Sequence, residues 1–133
     1  MRTFRLVLLA LLLISACTSG LKRPVNEVTA KTDPQGVQRV TLETHSFYFE
    51  PNRIVVKANI PVELKVRNAA FLVPHNFTLQ SKDGGLAVET DLSMFGGSHI
   101  VRFTPATPGE YRFFCDKDAH EKKGMTGTLV VVQ

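Results

Sequence analysis

The sequence predicts an all-β antiparallel sandwich of seven to eight strands, spanning about 100 residues. Three observations carry this. Short segments alternate apolar and polar residues with period two, as in Val62-Glu63-Leu64-Lys65-Val66-Arg67-Asn68. Turn residues recur between these segments at spacings of roughly 8–14 residues. No segment carries a sustained helical period. At 133 residues the chain has the length of one domain.

The first sixteen residues stand apart from this pattern. Met1 to Arg5 is a short basic start and Leu6 to Ile14 an unbroken apolar run. That is the h-region of a signal peptide, too short to span a bilayer as a helix. The following Ile14-Ser15-Ala16-Cys17 resembles a bacterial lipobox. The resemblance implies cleavage after Ala16, diacylation of the Cys17 thiol and acylation of its new amino group. Ordinary secretion with a chance cysteine is the alternative. Residues 17–38 are polar, with Pro24, Pro34 and Gly36, and read as a flexible linker between lipid and domain. Twenty such residues would hold the domain about 25 Å from its anchor. The expected domain is residues 39–133.

Val40-Thr41-Leu42-Glu43 opens the alternation, which resumes at Phe47-Tyr48-Phe49 after an irregularity at Thr44-His45-Ser46. Glu50-Pro51-Asn52 turns into the β-branched strand Ile54-Val55-Val56-Lys57. Ala58 to Pro61 turns into the strand Val62 to Asn68, and His75 to Gln80 is the next strand. Ser81 to Gly97 is glycine-rich and reads as irregular, with Leu86, Val88, Leu92, Met94 and Phe95 available to seat it on the core. Ser98 to Thr104 alternates again. Pro105 to Gly109 turns into Glu110 to Cys115, and Gly127 to Val132 closes the chain as a buried strand. An immunoglobulin-like sandwich would share these statistics, but usually with a core tryptophan and a cysteine pair. This chain has no tryptophan, and of its two cysteines one is the lipidation candidate.

Composition narrows the function. Loss of residues 1–16 removes Arg2 and Arg5, leaving fourteen basic against twelve acidic side chains and lowering the formal charge from +4 to +2. No basic stripe with interleaved aromatics remains, so nucleic acid is not an expected partner. If Cys17 is lipidated, Cys115 is a lone thiol in an oxidising compartment, where an unprotected thiol is a liability. A bound metal would account for it.

Cys115 is followed by His120 after four residues and by Met125 after four more. Thiolate, imidazole and thioether are ligands of mononuclear copper electron-transfer sites, which need a second histidine. His75 meets that need, at the junction of the apolar loop Ala69 to Pro74 with a strand start. Taken singly, each of these residues has an ordinary structural reading: a buried thiol, a core histidine, a packing methionine. His45, at the strand irregularity, and His99, on an alternating strand, are read as structural or surface residues. Zinc would accept Cys115, His75 and His120 but is poorly served by a methionine. A Cys–His nucleophilic enzyme would need an orienting group and an oxyanion hole, and nothing nominates them.

The motifs Asn68…Pro74-His75-Asn76 and Tyr111-x-Phe113-x-Cys115-x4-His120-x4-Met125-x-Gly127 resemble those of the cupredoxins, the plastocyanin- and azurin-like blue copper proteins. The likeness runs over about residues 40 to 132, and the flanks Phe49-Glu50-Pro51, Thr107 to Tyr111 and Gly124 to Val131 agree with it. It implies a Greek-key sandwich holding one copper ion that cycles between Cu(I) and Cu(II). Cys115, His75 and His120 would be the equatorial ligands and Met125 a weak axial one. By the same resemblance, Asn76 directs its backbone N–H at the cysteine sulfur and braces the ligand loops with its side chain. The loop also departs from the family. Plastocyanins usually place two residues between cysteine and histidine. Azurins place four there, but three between histidine and methionine. Here both gaps are four residues, filled largely by Asp116, Lys117, Asp118, Glu121, Lys122 and Lys123.

The function implied is a lipid-anchored electron carrier facing the periplasm or cell exterior. It would serve transient redox protein partners, without a small-molecule substrate or enzymatic turnover. Its expected electron route is a solvent-exposed edge of His120, bordered by an apolar patch from Phe71, Leu72 and Val73. A copper carrier or sensor using the same residues is the second reading, and a metal-free interaction module the third.

Overall fold

The computed structural model describes residues 23–133. The expected signal peptide and the lipidation candidate Cys17 lie outside the described residues. Eleven strands follow one another among the described residues: β1 (Glu27–Thr29), β2 (Lys31–Thr32), β3 (Gln38–His45), β4 (Tyr48–Glu50), β5 (Arg53–Lys57) and β6 (Val62–Asn68), then β7 (His75–Gln80), β8 (Ala87–Leu92), β9 (Ser98–Phe103), β10 (Gly109–Phe114) and β11 (Thr126–Val132). One sheet has the order β1-β5-β11-β10-β7-β8 and the other β2-β3-β6-β9, with β4 paired to β3.

The all-β sandwich expected from the alternation is present, with two differences of detail. Three pairings, β1 with β5, β5 with β11 and β3 with β6, are parallel, so both sheets are mixed rather than antiparallel. The reason is a crossing of the sandwich. After the β3–β4 hairpin the chain enters the opposite sheet as β5 and returns as β6, which lies beside β3 in the same direction. The strand count is also higher, because short edge strands add to the expected seven or eight. The strand β8 occupies part of the segment read as irregular. Gly84, at φ +75, lies in the turn before it, and all six of its residues register against β7.

The linker reading also reaches too far into the domain. Within residues 17–38, β1 pairs with β5 and β2 with β3. Gln38, read as its last residue, is fully buried. Its amide donates to the Lys57 and Ile60 carbonyls and its Oε1 accepts from the Lys57 N–H at 2.6 Å. A composition rich in turn residues concealed strands of two and three residues, which are too short to show a period.

Inward residues follow the period-two prediction closely. Val40 and Leu42 of β3, Val62, Leu64 and Val66 of β6 and Val101 of β9 meet Ile54, Val56, Phe77, Leu79, Phe113, Leu129 and Val131 from the opposite sheet. Burying each such side chain contributes about 1.5–3 kcal/mol relative to exposure. Phe49 joins Phe113 at 5.2 Å and Phe77 at 6.3 Å between ring centroids, both edge-on. This aromatic trio lies close to the chain segments that deliver His75 and Cys115.

Gly127 makes that cluster possible. It registers opposite Phe113, and a Cβ there would lie 2.2 Å from the Phe113 ring and 2.7 Å from the Asn52 carbonyl oxygen. Gly127→Ala is therefore expected to destabilise the fold by about 1–3 kcal/mol through overpacking. Urea denaturation of the metal-free variant and parent measures this directly, and equal midpoints would show that Phe113 yields freely.

Candidate metal centre

The ligand candidates arrive on two neighbouring strands. His75 is the first residue of β7, and Cys115 follows the last residue of β10. These strands pair antiparallel, with Phe114 opposite Thr78. Adjacency in the sheet thus brings together residues 40 positions apart. His120 comes from the loop after Cys115. The Cys115 sulfur lies 3.4 Å from His120 Nδ1 and 3.9 Å from His75 Nδ1. The ligand atoms of all three residues fall within 4.8 Å of one another, and each residue is buried.

The long loop keeps this register because it is wound into turns. The His120 N–H donates to the Lys117 carbonyl at 3.0 Å, Gly124 to Glu121 at 2.9 Å and Met125 to His120 at 3.0 Å. Asp118 at φ +45 and Gly124 at φ +96 supply the left-handed steps. Met125 is fully buried, and its carbonyl accepts the Cys115 N–H at 3.2 Å. The extra loop length is thereby absorbed as turns, and the backbone of Met125 is tied to both loop ligands.

The Asn76 N–H points at the Cys115 sulfur at 3.5 Å. Its side chain donates to Asp116 Oδ1 at 2.7 Å and accepts the Asp116 N–H at 3.0 Å. Asn68 has a role that the sequence motif did not reveal. Its buried amide donates to the Val73 and Ser93 carbonyls, while its Oδ1 accepts from the Ala70 N–H and the Thr44 hydroxyl. Those four bonds fix the loop that leads into His75. An asparagine ending a strand before an apolar loop is the only signal the sequence offered.

His120 keeps only a narrow edge toward solvent: it is 4% exposed, and its Nε2, unlike that of His75, is not a buried atom without a partner. The Phe47 ring stands edge-on to it at 4.9 Å, and the Lys123 ammonium sits 3.9 Å from the Phe47 centroid. Phe47 occupies the second position of the two-residue β3–β4 turn with φ +70, an unusual angle for a bulky side chain. Phe71 and Leu72 are exposed as expected, Val73 only partly. Phe95 extends their patch, 6.3 Å from Phe71. His45 and His99 lie outside the ligand cluster: His45 stacks on Tyr48 at 4.6 Å and His99 is exposed on β9.

The electrostatics suit a soft metal that takes neutral nitrogen and anionic sulfur. Burial, followed by the charges of His120 and His45, holds His75 down to about 4. Burial and then Lys123 also lower His120. Both imidazoles are thus neutral and ready to ligate near pH 7. Burial pushes the Cys115 thiol up, against the pull of the Asn76 and Lys117 N–H groups. Metal binding would therefore release a proton from Cys115, and those N–H groups would stabilise the thiolate left behind. One sulfur, two imidazoles and an adjacent buried methionine fit one copper ion better than zinc or a hard cation.

The depressed His75 value has a consequence for stability. Between pH 6.5 and about 4 the unfolded chain takes up a proton that the native imidazole refuses. Stability of the metal-free protein is thus full above pH 6.5 and falls as pH drops toward 4, by on the order of 3 kcal/mol. Denaturant midpoints at intervals across that range should show the decline. A His75→Gln variant should remove much of the slope; an unchanged slope would place its source elsewhere.

The fold and site can now be set beside known proteins. A family model for the cupredoxin-like domain matches residues 5–131. No curated sequence relative reaches significance. Among solved structures, dithionite-reduced auracyanin from Roseiflexus castenholzii is 18% identical, with TM-score 0.67 over 78% of this chain and 99% of that one. Auracyanin A, a "blue" copper protein from Chloroflexus aurantiacus, is 21% identical, with TM-score 0.59 over 71% of this chain and 99% of that one. The metal-binding domain of the Cu(I)-exporting P-type ATPase of Streptococcus pneumoniae is 18% identical, with TM-score 0.58 over 84% and 100%. These likenesses concern the fold, and with the family match over nearly the whole sequence they establish that the chain belongs to the cupredoxin-like domain family.

Proposed function

We propose that this protein is an electron carrier that holds one copper ion through Cys115, His75 and His120, with Met125 as the weak axial ligand. The observation that carries this reading is the buried convergence of one sulfur and two imidazole nitrogens within 4.8 Å, with the Asn76 N–H aimed at the sulfur. Copper bound by thiolate and imidazole supplies one-electron redox chemistry. The chain's own part is to hold the ligands still. His75 is set by the Asn68-braced loop, Cys115 by the Asn76–Asp116 pair and His120 by the turns on either side of it. A ligand set fixed by the fold has little to rearrange when the electron arrives. The exposed Phe71, Leu72 and Phe95 cluster is suited to brief, low-area encounters with redox proteins.

The copper-carrier reading has support in the likeness to the exporting ATPase's metal-binding domain. The near-complete burial of all three ligands favours retention over delivery, since a chelator or acceptor protein would have to reach them. The carrier is further proposed to be exported and anchored to a membrane through lipidated Cys17, a reading supported by the apolar run before Ile14-Ser15-Ala16-Cys17.

Titrating Cu(II) into the purified domain should produce an intense visible thiolate-to-copper band with one ion bound. Cys115→Ser should abolish the band, and repeated oxidation and reduction against a copper chelator should leave the metal in place. Absence of the band would overturn the redox assignment, whereas rapid loss to the chelator would favour a carrier.

Localisation has its own test. Full-length chain expressed in a bacterial host should sediment with membranes and carry diacylglycerol, and Cys17→Ser should abolish the lipid signal in mass spectrometry. An unlipidated, soluble parent would instead indicate ordinary secretion.

A further inference from the structure

A groove of about 970 Å³ crosses the outer face of β10 and β11 and ends at the metal-binding loop. Phe47, which covers His120, lines one part of it together with Lys122, Lys123 and Gly124. Phe114, next in sequence to Cys115, lines another, with the Arg112 guanidinium 5.2 Å from its ring.

The lining is strongly one-sided in charge. It holds Arg23, Lys82, Lys122 and Lys123, none of which makes an ion pair among the described residues. Two further cations, Arg53 and Arg112, are matched by Glu27, Glu110 and Glu121. Glu110 is the one acidic side chain in the lining itself. This concentration is not inherited from the chain as a whole, whose formal charge is close to balance once the expected signal peptide is removed. Like charges held together repel one another, and a carboxylate-bearing surface would relieve that repulsion.

We infer that the groove docks an acidic segment of the redox partner and directs electron exchange through the Phe47 cover of His120. The inference rests on the electron-carrier reading and adds the chemistry of the partner to it. The apolar Phe71 patch supplies contact area without preference for charge. The groove supplies the preference, and it reaches the Phe47 ring that packs against His120.

The test combines binding with kinetics on the copper-loaded protein and its Lys82→Glu/Lys122→Glu variant, both substitutions being at exposed positions. A deca-glutamate peptide titrated into the isotope-labelled protein should shift amide signals of Lys82, Arg112, Lys122 and Thr126, and a deca-lysine peptide should not. Reduction by hexacyanoferrate(II), which passes one electron to Cu(II), should slow about five-fold or more in the variant at about 10 mM ionic strength and converge with the parent near 1 M. A control variant, Lys57→Glu/Lys65→Glu, carries the same charge change away from the groove and should slow far less. Equal slowing in the control, or peptide shifts confined to Phe71, Leu72 and Phe95, would overturn the inference. If copper proves redox-inactive, the peptide titration still reports on the groove, so failure of the electron-carrier reading and failure of the docking surface give different results.

Discussion

The centre depends on a clasp between Asn76 and Asp116. Two hydrogen bonds, at 2.7 and 3.0 Å, join the residue after one ligand to the residue after another. They continue the pairing of β7 and β10 past the last ladder pair, Phe114 with Thr78, to the edge of the sheet. A ladder ending at Phe114 would leave Cys115 tied only on its β11 side, through the Met125 carbonyl. With the clasp in place, the Asn76 N–H is held against the sulfur and the His75 ring faces it. Behind the clasp, Gly127 admits the Phe113 ring to the core and Asn68 anchors the approach to His75. Each of these supports is apolar packing or a hydrogen bond made by a buried asparagine, so the site inherits the rigidity of the sandwich.

The same arrangement reconciles the loop's unusual length with an ordinary ligand geometry. Both gaps, Asp116 to Ala119 and Glu121 to Gly124, are closed by turns whose N–H groups find carbonyl partners inside the loop. Three of the six charged side chains that fill these gaps have partners of their own. Asp116 accepts from Asn76, Lys117 pairs with Asp91 at 2.7 Å, and Glu121 pairs with Arg112 at 2.6 Å. What reads in sequence as a highly charged insertion is, in space, a set of ties from the ligand loop to β7, β8 and β10.

Much of the fold was legible because it obeys a local rule. Alternation in Val62 to Asn68 and Gly127 to Val132 identified which residues enter the core, and the spacing of Cys115, His120 and Met125 with the Pro74-His75-Asn76 motif identified the ligand candidates. Features that depend on tertiary proximity were not legible. A strand such as Glu27–Thr29 has three exposed residues and exists because β5 offers it an edge. Parallel pairing of β3 with β6 follows from the path of the chain across the sandwich, which no local pattern encodes. The cover over His120 depends on a tight turn placing an aromatic ring beside a residue 73 positions later. Phe47 looked like the start of an alternating strand, and only its left-handed backbone angle distinguishes it.

That angle bears on how a buried metal site of the proposed kind would remain accessible. A non-glycine residue in the left-handed region costs of order 1–3 kcal/mol and persists where surrounding contacts hold it. For Phe47 those contacts are the His120 edge on one side and the Lys123 ammonium over its ring. Complete burial would protect the thiolate from oxidants but would insulate the metal from its partners. An open imidazole edge would do the reverse. An aromatic ring on a two-residue turn meets both demands in part: it packs edge-on against His120, which stays 4% exposed, and puts only one side chain between that part of the imidazole and the surface. On the proposed electron-carrier reading, the strain in the turn is the cost of placing that ring at the edge of the site, and the Lys123 ammonium beside it would offer a cationic contact to an approaching partner.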